Sequence, residues 1–182
     1  MWYEMAKRDV NKDLSGDGSV FIAIWLPREA RKALDHIEDL ADDLHMTVVY
    51  ITEGIDSVPA RRQVLDAVEE VCKRTRPIDC KLTEMGVMGN EEKTLVANVT
   101  VMDGSKFYTD LIDTIERKIG RKVERDYDFL PHVSVREKSG DGEADIKDLR
   151  KFGWTANQIT VQFGDDTIKH RFSLTGGRRV SA

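Results

Sequence analysis

Two short strings in this chain share one pattern: Leu44-His45-Met46-Thr47-Val48-Val49-Tyr50 and Pro131-His132-Val133-Ser134-Val135-Arg136. Each is a histidine, one apolar residue and a hydroxyl residue, set in an apolar run that reads as a strand. Side chains at i and i+2 of a strand point to the same face. His45 and Thr47 therefore share one face, and so do His132 and Ser134. A fold that laid the two strands side by side would bring two imidazoles and two hydroxyls to one place.

The pattern around the strings repeats. Residues 20–26 form an apolar run closed by Pro27, which predicts a buried strand followed by a helix. Residues 28–42 carry Ala30, Ala33, Leu34, Ile37, Leu40 and Ala41 at helical spacing. The first histidine strand follows, over 44–51. After a loop at 53–59, a helix over 58–73 buries Val64, Leu65, Val68 and Val71. A strand over 78–85, a turn with Gly86, Gly89 and Asn90, and a strand over 94–102 come next. The second half predicts a helix over 105–120, capped by Ser105 and stopped at Gly120. Phe107, Leu111, Ile112 and Ile115 form its inward face. A short strand near Val123 leads to the second histidine strand, over 129–135. Beyond it lie a loop at 138–145, a short helix within 145–154, and a closing hairpin of 159–164 and 168–174 across Asp165-Asp166. The histidines stand 87 positions apart (132 minus 45) in corresponding halves, which reads as a weak internal duplication.

Alternating strands and helices with hairpins mixed in predict an α+β fold with largely antiparallel sheets. Residues 1–18 read as a polar arm, 19–176 as one domain and 177–182 as a basic tail. The charged fraction is 34% and the apolar fraction 40%, an ordinary globular composition. No apolar run approaches the roughly 18 residues that span a bilayer, and the first eight residues lack the apolar core of a signal peptide. The expected location is cytoplasmic, without a membrane partner. The formal net charge of −5 weighs against binding long duplex nucleic acid, which needs a basic surface.

Cys72 and Cys80 have no metal-ligand spacing, and no third ligand stands at the distance a His-Glu-x-x-His site requires. The expectation is no metal, no cofactor, and two buried, reduced thiols. His36, on a charged helix, and His170, in a polar hairpin, are expected at the surface.

The residue types in the two strings suit phosphodiester chemistry without a metal. Such a reaction needs a base for the attacking oxygen and an acid for the leaving one. Histidine serves as either near neutrality. Thr47 and Ser134 can donate hydrogen bonds to the non-bridging oxygens. Which histidine is acid and which is base stays open. Arg136 is in step with His132 and Ser134 if the strand is regular, so it is a candidate phosphate contact. Tyr50 falls on the opposite face from His45 and reads as packing. Trp2, Tyr3, Trp25, Phe129 and Trp154 are aromatic candidates for stacking a base. Packing is the expectation for the last three, while Trp2 and Tyr3 remain candidate ligand contacts. Glu53 and Glu137 are loop-side candidates for reading a base edge.

The paired strings resemble the 2H phosphoesterase superfamily, which is defined by two His-x-Thr/Ser signatures, over roughly residues 20–174. The form of the first string is most similar to the bacterial and phage branch, including phage enzymes that destroy the cyclic oligonucleotide signals of CBASS defence. The resemblance implies a bilobal fold, with two small antiparallel sheets around a central cleft and helices outside. It implies catalytic His45 and His132 and phosphate-binding Thr47 and Ser134 lining that cleft, with no metal or cofactor. It also implies a phosphodiesterase acting on a small ribonucleotide in the cytoplasm, the host's if the chain is phage-encoded. The first expectation for the substrate is a cyclic di- or trinucleotide. A 2′,3′-cyclic phosphate or 2′-5′ RNA end is the second, and a non-catalytic nucleotide-binding sponge the third. Oligomeric state stays open.

Overall fold

The structure, a computed structural model, describes residues 18–37, 39–88, 94–125, 129–137 and 152–177. The expected N-terminal arm with Trp2 and Tyr3, the Gly89-Asn90 turn, the 138–145 loop, most of the 145–154 helix and the tail from Arg178 lie outside those residues.

Among the described residues eight antiparallel strands run β1 (Val20–Trp25), β2 (His45–Ile51), β3 (Ile78–Met88), β4 (Thr94–Val101), β5 (His132–Glu137), β6 (Phe152–Ala156), β7 (Gln158–Phe163) and β8 (His170–Ser173). In space the order is β6-β3-β4-β5-β2-β1-β7-β8. The expected two sheets are the two halves of this order, joined at its centre. The join is the slightest contact in the sheet: β2 and β5 share one register pair, Met46 with Val133. Each half is held by long ladders of its own, β1 with β2 and β7, and β4 with β3 and β5.

Among the described residues three α-helices accompany the sheet: α1 (Arg28–Arg31), α2 (Val58–Arg74) and α3 (Gly104–Ile119). The long pair forms for the reasons read in the sequence. In α2, the Ser57 hydroxyl caps the Ala60 N–H at 3.2 Å and Pro59 occupies the first turn, where its missing N–H costs nothing. Val64, Leu65, Val68 and Val71 are buried. In α3, Phe107, Leu111, Ile112 and Ile115 are buried, and Gly120 ends the helix in the left-handed conformation, φ +76°. These faces, with the inward residues Val20, Ile22, Ile24, Met46, Val133 and Val161, form one hydrophobic core.

Several local expectations are corrected. The helix expected over 28–42 ends early: α1 gives way to a single 3₁₀ turn, Lys32–Leu34. Asp35, Asp39 and Asp42 are poor helix-interior residues, and Asp39 is left-handed at φ +56°. The freed backbone is put to use, because the Ala41 N–H donates to the Val135 carbonyl at 2.9 Å. The cap of α3 is Asp103, at φ +53°, rather than Ser105. The helix enters one residue earlier because Gly104 has no Cβ, which would sit 2.7 Å from the Phe129 ring. Strand β3 runs on through Gly86 to Met88. Residues 121–125 are irregular, so no strand forms at Val123, and residues 152–154, the end of the stretch expected to include a short helix, belong to strand β6. His170 is 3% exposed, edge-on to Phe163 with centroids 5.5 Å apart; its place in β8 alternates inward. Both cysteines are buried, and burial pushes each thiol up to about 12. Among the described residues no helix is long and apolar enough to cross a membrane.

Candidate active site on the open face of the sheet

The single pair that joins the halves also places the two sequence strings. Met46 and Val133 are each fully buried, so both face the core. Continuing their antiparallel register by one residue each way sets His45 across from Ser134 and Thr47 across from His132. All four lie on the face away from the core. The two strings thus lie side by side across the seam, with both histidines and both hydroxyls on one face.

The rings are held alike. His45 Nδ1 lies 2.7 Å from the Asp43 carbonyl, and His132 Nδ1 lies 2.7 Å from the Leu130 carbonyl. In both cases the partner is two residues back. A carbonyl only accepts, so each Nδ1 carries the proton and donates. The nitrogen left for chemistry is Nε2 in both. When the ring is neutral it presents a lone pair, and when charged an N–H donor. One anchoring serves both acid and base roles.

Each string is followed at once by a β-bulge. The β1–β2 register shifts so that Val48 has no partner, between Ala23 opposite Thr47 and Ile22 opposite Val49. The β4–β5 register shifts so that Val135 has none, between Val96 opposite Ser134 and Leu95 opposite Arg136. A bulge adds local twist and reverses the alternation beyond it. Two parity expectations fail for this reason. Tyr50 lies opposite Phe21, and Phe21 is on the His45 side, its ring edge-on at 4.9 Å from the imidazole. Tyr50 therefore shares the histidine face. Arg136 lies opposite the buried Leu95 and is out of step with His132 and Ser134.

The walls beside the histidines differ. On the β1 side, Trp25 lies opposite His45, with ring centroids 5.1 Å apart. Its indole N–H donates to the Thr160 hydroxyl at 2.9 Å. On the β4 side, Asn98 lies opposite His132 and Val96 opposite Ser134. Phe21, Trp25, Tyr50 and Asn98 are thus the neighbours of the candidate site that sequence reasoning missed or assigned to packing. Their signal was the pairing register, which one strand's alternation does not contain. Of the other aromatic candidates, Phe129 stacks on Tyr108 at 5.7 Å, and Trp154 packs against the core. Glu53 is exposed in its loop.

Comparison with known proteins identifies the family and the fold. Residues 22–161 match the family described as the 2′-5′ RNA ligase superfamily. No curated protein matches the chain. Among solved structures, TT0787 of Thermus thermophilus is similar at 16% identity and TM-score 0.65, covering 87% of this chain and 99% of that one. LigT of E. coli, complexed with NADP+, is similar at 16% identity and TM-score 0.65, over 87% of this chain and 98% of that one. The MHV ns2 PDE domain is similar at 12% identity and TM-score 0.58, over 80% and 99%. At these identities the three likenesses establish the fold.

Proposed function

From a chain that belongs to the 2′-5′ RNA ligase superfamily, the 2H phosphoesterases, we propose a phosphodiesterase in which two histidines divide the proton transfers. The observation that carries this reading is the matched anchoring of His45 and His132. Each is fixed through Nδ1 by the carbonyl two residues back, on strands that meet at Met46 and Val133. One Nε2 takes the proton from the attacking hydroxyl, a ribose 2′-OH or water, as the new P–O bond forms. The other, protonated, gives its proton to the leaving oxygen as the old P–O bond breaks. General acid and base contributions of this kind are worth roughly 10²–10⁴-fold each. Thr47 Oγ1 and Ser134 Oγ donate to the non-bridging oxygens, where negative charge gathers in the transition state.

A small ribonucleotide is the substrate class. Two substrates within that class compete: the first is a cyclic di- or trinucleotide, of the kind used as a defence signal, and the second a 2′,3′-cyclic phosphate or 2′-5′ linked RNA end. The family's description favours the second, and LigT, solved with NADP+ and with 3′-AMP, supports a small nucleotide in either case. The acidic net charge favours either over long RNA. Turnover of a cyclic dinucleotide, a cyclic trinucleotide, a 2′-5′ oligoadenylate and a 2′,3′-cyclic mononucleotide separates them. Cleavage confined to the cyclic oligonucleotides supports the first. Cleavage confined to the other two supports the second. Binding without any cleavage turns the site into a nucleotide sponge.

A further inference from the structure

Lys169, the residue before β8, reaches back across the sheet. Its ammonium sits 3.8 Å from the centroid of the Trp25 ring, and that ring is 5.1 Å from the His45 ring. The two distances together put the charge within about 9 Å of the imidazole. An ammonium over an indole face is attracted by the ring's electron density. The indole is itself pinned by its N–H to Thr160. A long, flexible side chain is thus held in one place before any ligand arrives, which lowers the entropy cost of using it in binding.

Its surroundings leave that charge available. In register across this face, Phe21 faces Gln162 and Ala23 faces Thr160, all neutral. Arg171 continues the row Thr47, Ala23, Thr160, Arg171 across four strands, adding a second cation farther out. His170, between the two cations, is buried, so Lys169 and Arg171 alternate to the open side. None of the ion pairs among the described residues involves either of them. On the other wall, the residues beside the second string are Asn98 and Val96. Trp25 has one face already covered by the ammonium, which argues for a seated charge there over an open plate for a base.

We propose that Lys169, seated on Trp25, binds the phosphate next to the one being cleaved. The site then favours ligands with at least two phosphodiesters, linear or cyclic, over a 2′,3′-cyclic mononucleotide. This rests on the phosphodiesterase reading for which phosphate sits at the histidines, but its test is binding, independent of turnover. A matched pair of 2′-O-methyl ligands, a dinucleoside monophosphate and a trinucleoside diphosphate, is titrated into the wild-type protein, Lys169→Met and Lys169→Arg by calorimetry. Lys169→Met is expected to weaken the two-phosphate ligand about 5- to 10-fold and the one-phosphate ligand less than about 2-fold, with Lys169→Arg close to wild type. The salt dependence of the two-phosphate ligand should fall by about one phosphate contact in Lys169→Met. Equal losses on both ligands, no loss on either, or tighter binding in Lys169→Met overturn the proposal; the last would make Trp25 a stacking plate. Lys169-dependent binding without turnover of any substrate leaves the second phosphate site standing and removes the phosphodiesterase. Turnover with a neutral Lys169→Met does the reverse.

Discussion

Met46 on β2 lies directly opposite Val133 on β5, and this one pair joins the two halves of the sheet. Both side chains are fully buried, and each stands between the histidine and the hydroxyl of its own string. The one pair that joins the sheet at its centre therefore also sets the two histidine strings side by side. Met46→Ala is expected to cost about 2–5 kcal/mol of stability, the usual range for removing a buried Met side chain. It should lower kcat at temperatures where the protein is still folded. Denaturant unfolding and turnover on the same preparation check both halves of the statement.

The hydroxyls should matter through their donor and little through their shape. Ser134→Ala and Thr47→Val remove one donor each and are expected to lower kcat by about 10²-fold, near the lower end of what loss of a transition-state donor costs. Thr47→Ser and Ser134→Thr keep the donor and should stay within about 5-fold of wild type. Steady-state kinetics on any cleaved substrate decides it. A Thr47→Val enzyme with unchanged kcat would remove Thr47 from the phosphate site.

Arg61 is 1% exposed on α2 and pairs with Asp166 at 3.1 Å, while its guanidinium lies over Phe163 at 5.2 Å. Asp166 sits in the turn that leads from β7 to Lys169 and β8. Asp166→Ala leaves a buried cation without its charged acceptor and is expected to cost about 1.5–3 kcal/mol, the range for hydrogen bonds to charged groups. Thermal unfolding measures that cost. A drop in affinity for nucleotides in this variant would show that the turn also places β8.

The two cysteines supply a pH statement. Burial is the main cause that pushes Cys72 and Cys80 up to about 12, while an unfolded thiol ionises near 8.5. Between those values the unfolded state binds fewer protons than the folded one, so stability falls as pH rises through that window. Below it the two states hold the thiol protons equally. A thiol reagent at pH 8 should leave the native protein unlabelled and modify two cysteines after unfolding. Rapid native labelling would contradict the burial.

Much of this was legible in the chain. The two strings named His45, Thr47, His132 and Ser134, and the helical spacing of Val64, Leu65, Val68 and Val71 marked the inner face of α2. What the sequence could not carry was register. Val48 and Val135 look like ordinary strand residues, yet each is a bulge. Those bulges bring Tyr50 to the site and take Arg136 out of step. Trp25 and Lys169 meet across β1, β7 and β8, far apart in sequence, so no local pattern joins them. The early end of α1 is hidden by an apolar spacing that runs on past Asp35, and the partner for Ala41 is a carbonyl 94 positions on (135 minus 41).

The most direct test of the central claim is a double-mutant cycle on turnover with His45→Ala, His132→Ala and the pair. Two histidines that divide one proton-transfer step act as a unit, so each single change should lower kcat by about 10²–10⁴-fold. The double change should then cost little more than the worse single one. Unfolding midpoints should move little, since both rings are only partly buried. A single variant that keeps wild-type turnover, or two losses that simply multiply, would contradict an acid and a base working across Met46 and Val133.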